Sequence, residues 1–250
     1  MPRPRPSDAR VTATMEATRT ITTSDEDEGG FFSVRILGPA LVISFRRPCQ
    51  VVSWAPLHGG FRTHVSHIVN CRTGSRCAPE TEQAILRRTA SKAGIKGTFV
   101  GMLTSTDIRE FRLAQSEHGG LHVSALSTTP MAYLATDGES RPPDRVPSLS
   151  SGGLNLILVV NQRLTHEAML KSISTATEAK VKALYDSELI SRPNRPQATG
   201  TAFDCIAVAS GGIGHHRSAS KHTKLGELIG KACLESLRAG LRSADSRKSD

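Results

Sequence analysis

The sequence predicts an α/β fold, a single domain of mixed β-sheets layered with helices. Three observations carry this expectation. Strand-like and helix-like stretches alternate along the chain, as they do where a sheet is covered by helices. The run "LNLILVV", residues 154–160, is apolar at every position but one, which suits a strand with both faces buried. The segment "THEAMLKSISTATEAKVKALYDSEL" places Met169, Ile173, Ala176 and Lys180 on one helical stripe, with Leu170, Ala179 and Leu184 widening it.

The elements follow in order. "FFSVRILGPALVISF" reads as two strands around a turn at Gly38-Pro39, and "CQVVSWAP" as a third, stopped by Pro56. Gly59-Gly60 marks a turn before "FRTHVSHIVNCRT", a strand or an irregular segment. "APETEQAILRRTASKAG" is a helix with Pro79 and Glu80 in its first turn and Gly94 at its end. "KGTFVGMLTS" and "GLHVSALSTTPMAYLAT" are strands, with "TDIREFRLAQSE" between them as a short helix or a strand approach. The segment "DGESRPPDRVPSLSSGG" is a long loop, rich in proline, glycine and serine. The central strand and the longest helix come next, with Thr165 as the helix cap. After a second loop, "RPNRPQATGT", come the buried strand "AFDCIAVAS" and the final helix "TKLGELIGKACLESLRAGL".

The ordered domain is expected over residues 31–240. Residues 1–30 lack apolar periodicity, carry three early prolines and an acidic run from Asp25 to Glu28, and read as a disordered extension. Residues 241–250 read as a flexible tail. The extension has no apolar core of a secretory signal, and no stretch of the chain is apolar enough to span a membrane. A cytoplasmic protein without a membrane partner is the resulting expectation.

The net charge is +9, and the excess of basic groups lies between the two ends of the chain. The basic residues are scattered, and aromatics are only 4%, which is poor material for stacking nucleic-acid bases. Nucleic acid is therefore not expected as a partner. The five cysteines are an odd number without a secretion signal, so reduced thiols are expected, with Cys205 packed inside a strand.

Three stretches share a pattern of strand end, glycines or small hydroxyl residues, then polar groups. They are "SWAPLHGGFRTHVSHIVN", "ATGTAFD" and "ASGGIGHHRSASKHTKLGE". Glycines let backbone amides approach a ligand, and a helix start offers free N–H groups for an anion or an oxyanion. None of the three matches the nucleotide-binding consensus motifs. His64 and His67 form one histidine group, and His215, His216 and His222 another. A zinc site would need three or four such ligands converging, and no His-Glu-x-x-His occurs. No metal and no cofactor is expected.

Five motifs, "SWAPLHGGFRTHVSHIVN", "GTFVGMLTSTDIR", "LNLILVVNQRLTHEAMLKSISTATEAKVKAL", "ATGTAFDCIAVAS" and "KHTKLGELIGKA", occur in the order and local spacing of the adenosylcobinamide amidohydrolases. The resemblance covers roughly residues 31 to 240. It implies a salvage enzyme that hydrolyses the amide joining aminopropanol to the corrin ring side chain, with the corrinoid as substrate. A corrinoid-binding protein without catalysis is the alternative. The chain departs from the family pattern at His58, at Gly153, where a threonine is more usual, and in the polar "HHRSASKH" link. A fainter similarity links "LNLILVVNQRLTHEAMLKSI" and "TGTAFD" to self-cleaving aminopeptidases of the β-peptidyl type. That similarity implies sheets layered between helices, with Gly153 at the place of their nucleophile.

For amide hydrolysis, the resemblance and the residues together nominate Glu178 or Asp204 as base, provided the group is buried near the site. His67 or His222 would protonate the departing amine. Lys180, Lys221 and the backbone around Gly200 and Gly211-Gly212 would stabilise the oxyanion. The attacking oxygen is a water or a hydroxyl, with Thr199 and Thr201 ahead of Ser151. Gly59, Gly60, Asn70 and Thr223 complete the expected substrate contacts. Glu178 and Lys180 stand two apart on a helix and so do not face each other.

Overall fold

The computed structural model describes residues 21–22, 30–73, 81–130, 134–135, 153–187, 197–201 and 203–246. The elements in chain order are β1 (Ile21–Thr22), β2 (Phe32–Leu37), β3 (Ala40–Ser53), β4 (Gly60–Arg72), α1 (Glu82–Lys92) and β5 (Phe99–Thr104). A single 3₁₀ turn, Ile108–Glu110, precedes β6 (Arg112–His118), β7 (Leu121–Thr128) and β8 (Leu134–Ala135). Then come β9 (Asn155–Val160), β10 (Arg163–Leu164), α2 (His166–Asp186), β11 (Gly200–Thr201), β12 (Cys205–Ser210), β13 (His215–His216) and α3 (Lys224–Ser246).

One structural difference from expectation shapes the whole molecule. "CQVVSWAP" is no separate strand: it continues β3, which runs unbroken to Ser53. Register shifts between Ser44 and Cys49, and again before Val51, mark where β3 departs from regular pairing. Its first half pairs with β2 and with the second half of β4, Ala40 lying opposite Cys71. Its second half pairs with β12, Ser53 lying opposite Ala207, and with the start of β4. The strand therefore joins two half-sheets. One contains β2, β4 and β5; the other runs β12, β9, β7, β6.

The apolar side chains fill three layers. Val34, Ile43, Ile68 and Met102 of the first half-sheet pack with Leu126, Ile157, Val159 and Ala207 of the second. The outer face of the second half-sheet packs Leu156, Leu158, Ile206 and Val208 against Met169 and Ala176 of α2 and Ile229 and Cys233 of α3. Beyond the first half-sheet, Leu86 of α1 packs on Cys71 and Leu103. The order is helix, sheet, sheet, helix, as the layered expectation has it.

β9 is the buried central strand that its composition predicts, parallel to β12 and antiparallel to β7. α2 begins at Thr165, whose Oγ1 accepts from the Ala168 N–H at 3.2 Å. Of its predicted stripe, Met169, Ala176, Ala179, Lys180 and Leu184 are buried and Ile173 partly so, but Leu170 is 60% exposed, one position and about 100° round from Met169. α3 continues to Ser246, past Gly240 where the flexible tail is expected to start. Within the extension expected to be disordered over residues 1–30, Ile21–Thr22 instead form β1, paired with β2; residues 1–20 and 23–29 lie outside the described residues, as does most of the loop at 137–153. Among the described residues no helix is long and apolar enough to cross a membrane.

Candidate active site

Because β9 and β12 are parallel and in register, their first residues, Asn155 and Cys205, lie side by side. Antiparallel β7 ends beside them, with Thr128 opposite Asn155. The segments entering β9 and β12 therefore gather at one end of the sheet. Asn70, Thr104, Thr128, Asn155 and Lys180 are buried polar residues of this region.

The first group is an ion pair. Lys180 Nζ lies 2.5 Å from Asp204 Oδ2, with side chains only 11% and 9% exposed. The other carboxylate oxygen, Oδ1, accepts from Thr201 Oγ1 at 2.5 Å, from Thr201 N–H at 3.0 Å and from Leu154 N–H at 3.2 Å. A buried carboxylate needs its charge matched and its lone pairs filled, and these donors do both. Gly200 makes room for the pair. A Cβ there would overlap Asp204 Oδ2 and come within 2.7 Å of Lys180 Nζ.

The second group bridges the two half-sheets. Asn155 Nδ2 donates to Asn70 Oδ1 at 2.8 Å and to the Leu103 carbonyl at 2.9 Å, and Asn70 Nδ2 donates to Thr128 Oγ1 at 3.1 Å. Thr104 Oγ1 reaches the Gly153 carbonyl at 3.4 Å and accepts from Thr106 N–H at 3.1 Å. The two groups meet at residues 153–155: Leu154 faces the helices and touches Asp204, while Asn155 faces the space between the half-sheets. Gly153 has no space for a side chain, since a Cβ would collide with the Phe203 carbonyl oxygen.

The glycine loop of "SWAPLHGG" reaches this end through Trp54, whose indole N–H donates to the Asp204 carbonyl at 2.7 Å. The loop is held down by His58, whose ring Nδ1 lies 2.8 Å from the Phe99 carbonyl, and by Arg62 Nε on the carbonyls of His58 and Gly59. A carbonyl only accepts, so His58 Nδ1 carries the proton. His58 adopts a left-handed backbone with φ 57°, uncommon for a side-chain-bearing residue.

The family model for adenosylcobinamide amidohydrolase matches residues 31–249. The chain belongs to the adenosylcobinamide amidohydrolase family. It is 25% identical to the adenosylcobinamide amidohydrolase of Methanosarcina mazei over 195 residues, 74% of this chain and 86% of that one. It is 29% identical to an uncharacterized protein of Methanocaldococcus jannaschii over 180 residues, 63% of this chain and 69% of that one. Among solved structures it is similar to the L-aminopeptidase D-Ala-esterase/amidase of Ochrobactrum anthropi (10% identity, TM-score 0.41, 90% of this chain and 81% of that one). It is also similar to a Burkholderia sp. β-aminopeptidase (12% identity, TM-score 0.41, 90% and 82%).

In this amidohydrolase the expected site residues divide. Lys180, Gly200, Thr201, Asp204 and Asn70 come together at the strand ends. Thr199 precedes them on the same segment, and Gly59 and Gly60 stand in the loop anchored through Trp54. Gly211 and Gly212 follow the other end of β12, roughly 20 Å from Asp204 at the rise of a strand. Glu178 is exposed and pairs with Lys221 at 2.6 Å. The burial expected of a base is absent, and the hydrogen bond from the Lys221 ammonium holds the Glu178 carboxyl below its usual range. His222 is exposed in the turn before α3, and Thr223 caps that helix, accepting from Gly226 N–H at 3.1 Å. His67 lies three residues from Asn70 on β4, hence on the opposite face. Its two ring nitrogens are taken up by Ser44 Oγ at 2.9 Å and the Lys96 carbonyl at 2.8 Å. Ser151 lies outside the described residues. Among the described residues no three His, Cys, Asp or Glu side chains gather as a metal site.

Asn155, Thr104, Thr106 and Trp54 were not singled out in the sequence. Asn155 carried a signal all the same: it is the one polar residue in an apolar run, and a buried amide has to find partners.

Proposed function

We propose that this chain hydrolyses adenosylcobinamide at the amide joining aminopropanol to a corrin side chain, giving adenosylcobyric acid and 1-amino-2-propanol. Membership of an amidohydrolase family supports hydrolysis of an amide bond. The observation that carries the reading is the nearly buried Lys180–Asp204 pair with the Thr201 hydroxyl on the same carboxylate.

Amide hydrolysis requires an attacking oxygen, a base for its proton, a charge to stabilise the oxyanion and a proton for the leaving amine. Thr201 Oγ1 supplies the attacking oxygen and Asp204 takes its proton across their 2.5 Å hydrogen bond. The Lys180 ammonium stabilises the oxyanion, in surroundings where little water weakens the interaction. As the C–N bond breaks, Lys180 gives a proton to the amine and regains one from Asp204. Water then hydrolyses the acyl-threonine ester, restoring Thr201 and releasing the acid.

The test is mass analysis of adenosylcobinamide after incubation with the pure protein, which should yield the acid and the free amino alcohol. Cobinamide bound but returned unchanged would leave a binding protein instead. Thr201→Val should abolish release and Thr201→Ser should retain it. Full activity in Thr201→Val would mean that water attacks directly.

A further inference from the structure

Two buried oxygens on the inter-sheet side of these strand ends have no hydrogen-bond partner: Asn155 Oδ1 and Thr106 Oγ1. Both residues are more than nine-tenths buried, at 1% and 8% exposure. The Asn155 amide cannot turn to relieve its oxygen, because Nδ2 already faces two acceptors, Asn70 Oδ1 and the Leu103 carbonyl. Turning would set oxygen against oxygen at both contacts. Buried polar atoms are seldom left unpaired, and each exception asks for an explanation.

The two orphans belong to one connected region. Thr106 N–H bonds Thr104 Oγ1, which bonds the Gly153 carbonyl, two residues before Asn155. Leu154, between them, holds Asp204. Asn155 Oδ1 accepts only, whereas a threonine hydroxyl both donates and accepts. A complementary ligand offers a donor to Asn155 Oδ1 and a donor or acceptor to Thr106 Oγ1, which an N–H and a hydroxyl on one small unit satisfy.

We infer that Asn155 and Thr106 bind the hydroxypropylamine half of the substrate. Asn155 Oδ1 accepts the N–H of the scissile amide, and Thr106 Oγ1 bonds the hydroxyl. The inference rests on the proposed function, whose substrate carries this N–H and O–H pair on a three-carbon unit. That half alone is small enough to reach atoms so deeply buried; the corrin ring stays outside. Asn70 is then a positioning residue, holding the Asn155 amide in its orientation.

The experiment compares 1-amino-2-propanol with propylamine, which lacks the hydroxyl, as inhibitors of aminopropanol release from adenosylcobinamide. The wild type should favour the amino alcohol by on the order of tenfold, the worth of one buried hydrogen bond. Thr106→Val should remove that preference and Thr106→Ser restore it. Because Val leaves the Thr106 backbone bond intact, this variant avoids the folding risk of replacing Asn155. A wild type with no preference, or a Thr106→Val variant that keeps it, overturns the inference. If the wild type releases no aminopropanol at all, the functional reading fails, and calorimetric binding of the same two amines still decides the Thr106 comparison.

Discussion

Lys180 on α2 and Asp204 at the entrance to β12 form a 2.5 Å ion pair that is almost wholly shielded from water. A lysine on the buried stripe of a helix is costly unless its charge is met, and Asp204 meets it. The same carboxylate orders Thr201 and Leu154, so one residue ties the helix, the segment before β12 and the start of β9 together.

Lys180→Met should lower aminopropanol release by a hundredfold or more, and should destabilise the fold by about 3–5 kcal/mol, the usual result of stranding a buried charge. Lys180→Met combined with Asp204→Asn should recover much of the stability and none of the activity. Urea unfolding and a release assay read the two effects separately. Equal losses of activity and stability in every variant would mean that the pair is structural only.

Gly153→Thr introduces a side chain whose Cβ would meet the Phe203 backbone carbonyl. It should destabilise by about 1–3 kcal/mol, as overpacking does, and gain no self-cleavage. Gly200→Ala should reduce activity as well, because its methyl group displaces the ion pair. Melting temperature and a denaturing gel decide the first point. A stable, self-cleaving Gly153→Thr protein would show that Phe203 moves aside easily.

Glu178→Gln, Lys221→Ala and His222→Ala should each stay within about threefold of wild-type activity, since exposed ion pairs contribute little. The Glu178–Lys221 pair has a defined pH dependence. The folded carboxyl has a lowered pKa, so its stabilisation is present above the unfolded value and fades as pH falls through the folded one. Glu178→Gln should therefore be slightly less stable than wild type above about pH 4.5 and converge with it as the pH falls further, and the difference should shrink in high salt. A hundredfold loss of activity in any of the three would return the catalytic role to this surface.

Cys49, Cys71, Cys205 and Cys233 are buried and free, and burial pushes the thiols of Cys49 and Cys205 up to about 12. A colorimetric thiol reagent should label no more than one of the five cysteines quickly in the native protein, and all five after unfolding. Rapid labelling of two or more native thiols would contradict this burial.

Local pattern carried a large part of the fold. The turn at Gly38-Pro39, the Thr165 cap and the apolar β9 were legible because each depends on neighbours within a few residues. β3 was split in the sequence reading because a bulge leaves no clear period to follow, and Leu170 was misplaced because a helix stripe has an edge. In the site, Lys180 stood out on an apolar stripe and Asp204 beside an apolar strand. Glu178, His67 and the Gly211-Gly212 pair had equally suggestive chemistry, and nothing local separated them from the residues that do meet.

The order of residues by itself determined the alternation of covered strands and helices, the caps, and membership of the family, since these rest on spacing along the chain. Only the tertiary structure decided which polar groups share a place. Asn155 meets Asn70 from 85 positions away, and Lys180 meets Asp204 across 24. Such meetings depend on how β3 bends and on β9 lying parallel beside β12, and strand pairing between distant segments leaves no periodic trace in either partner.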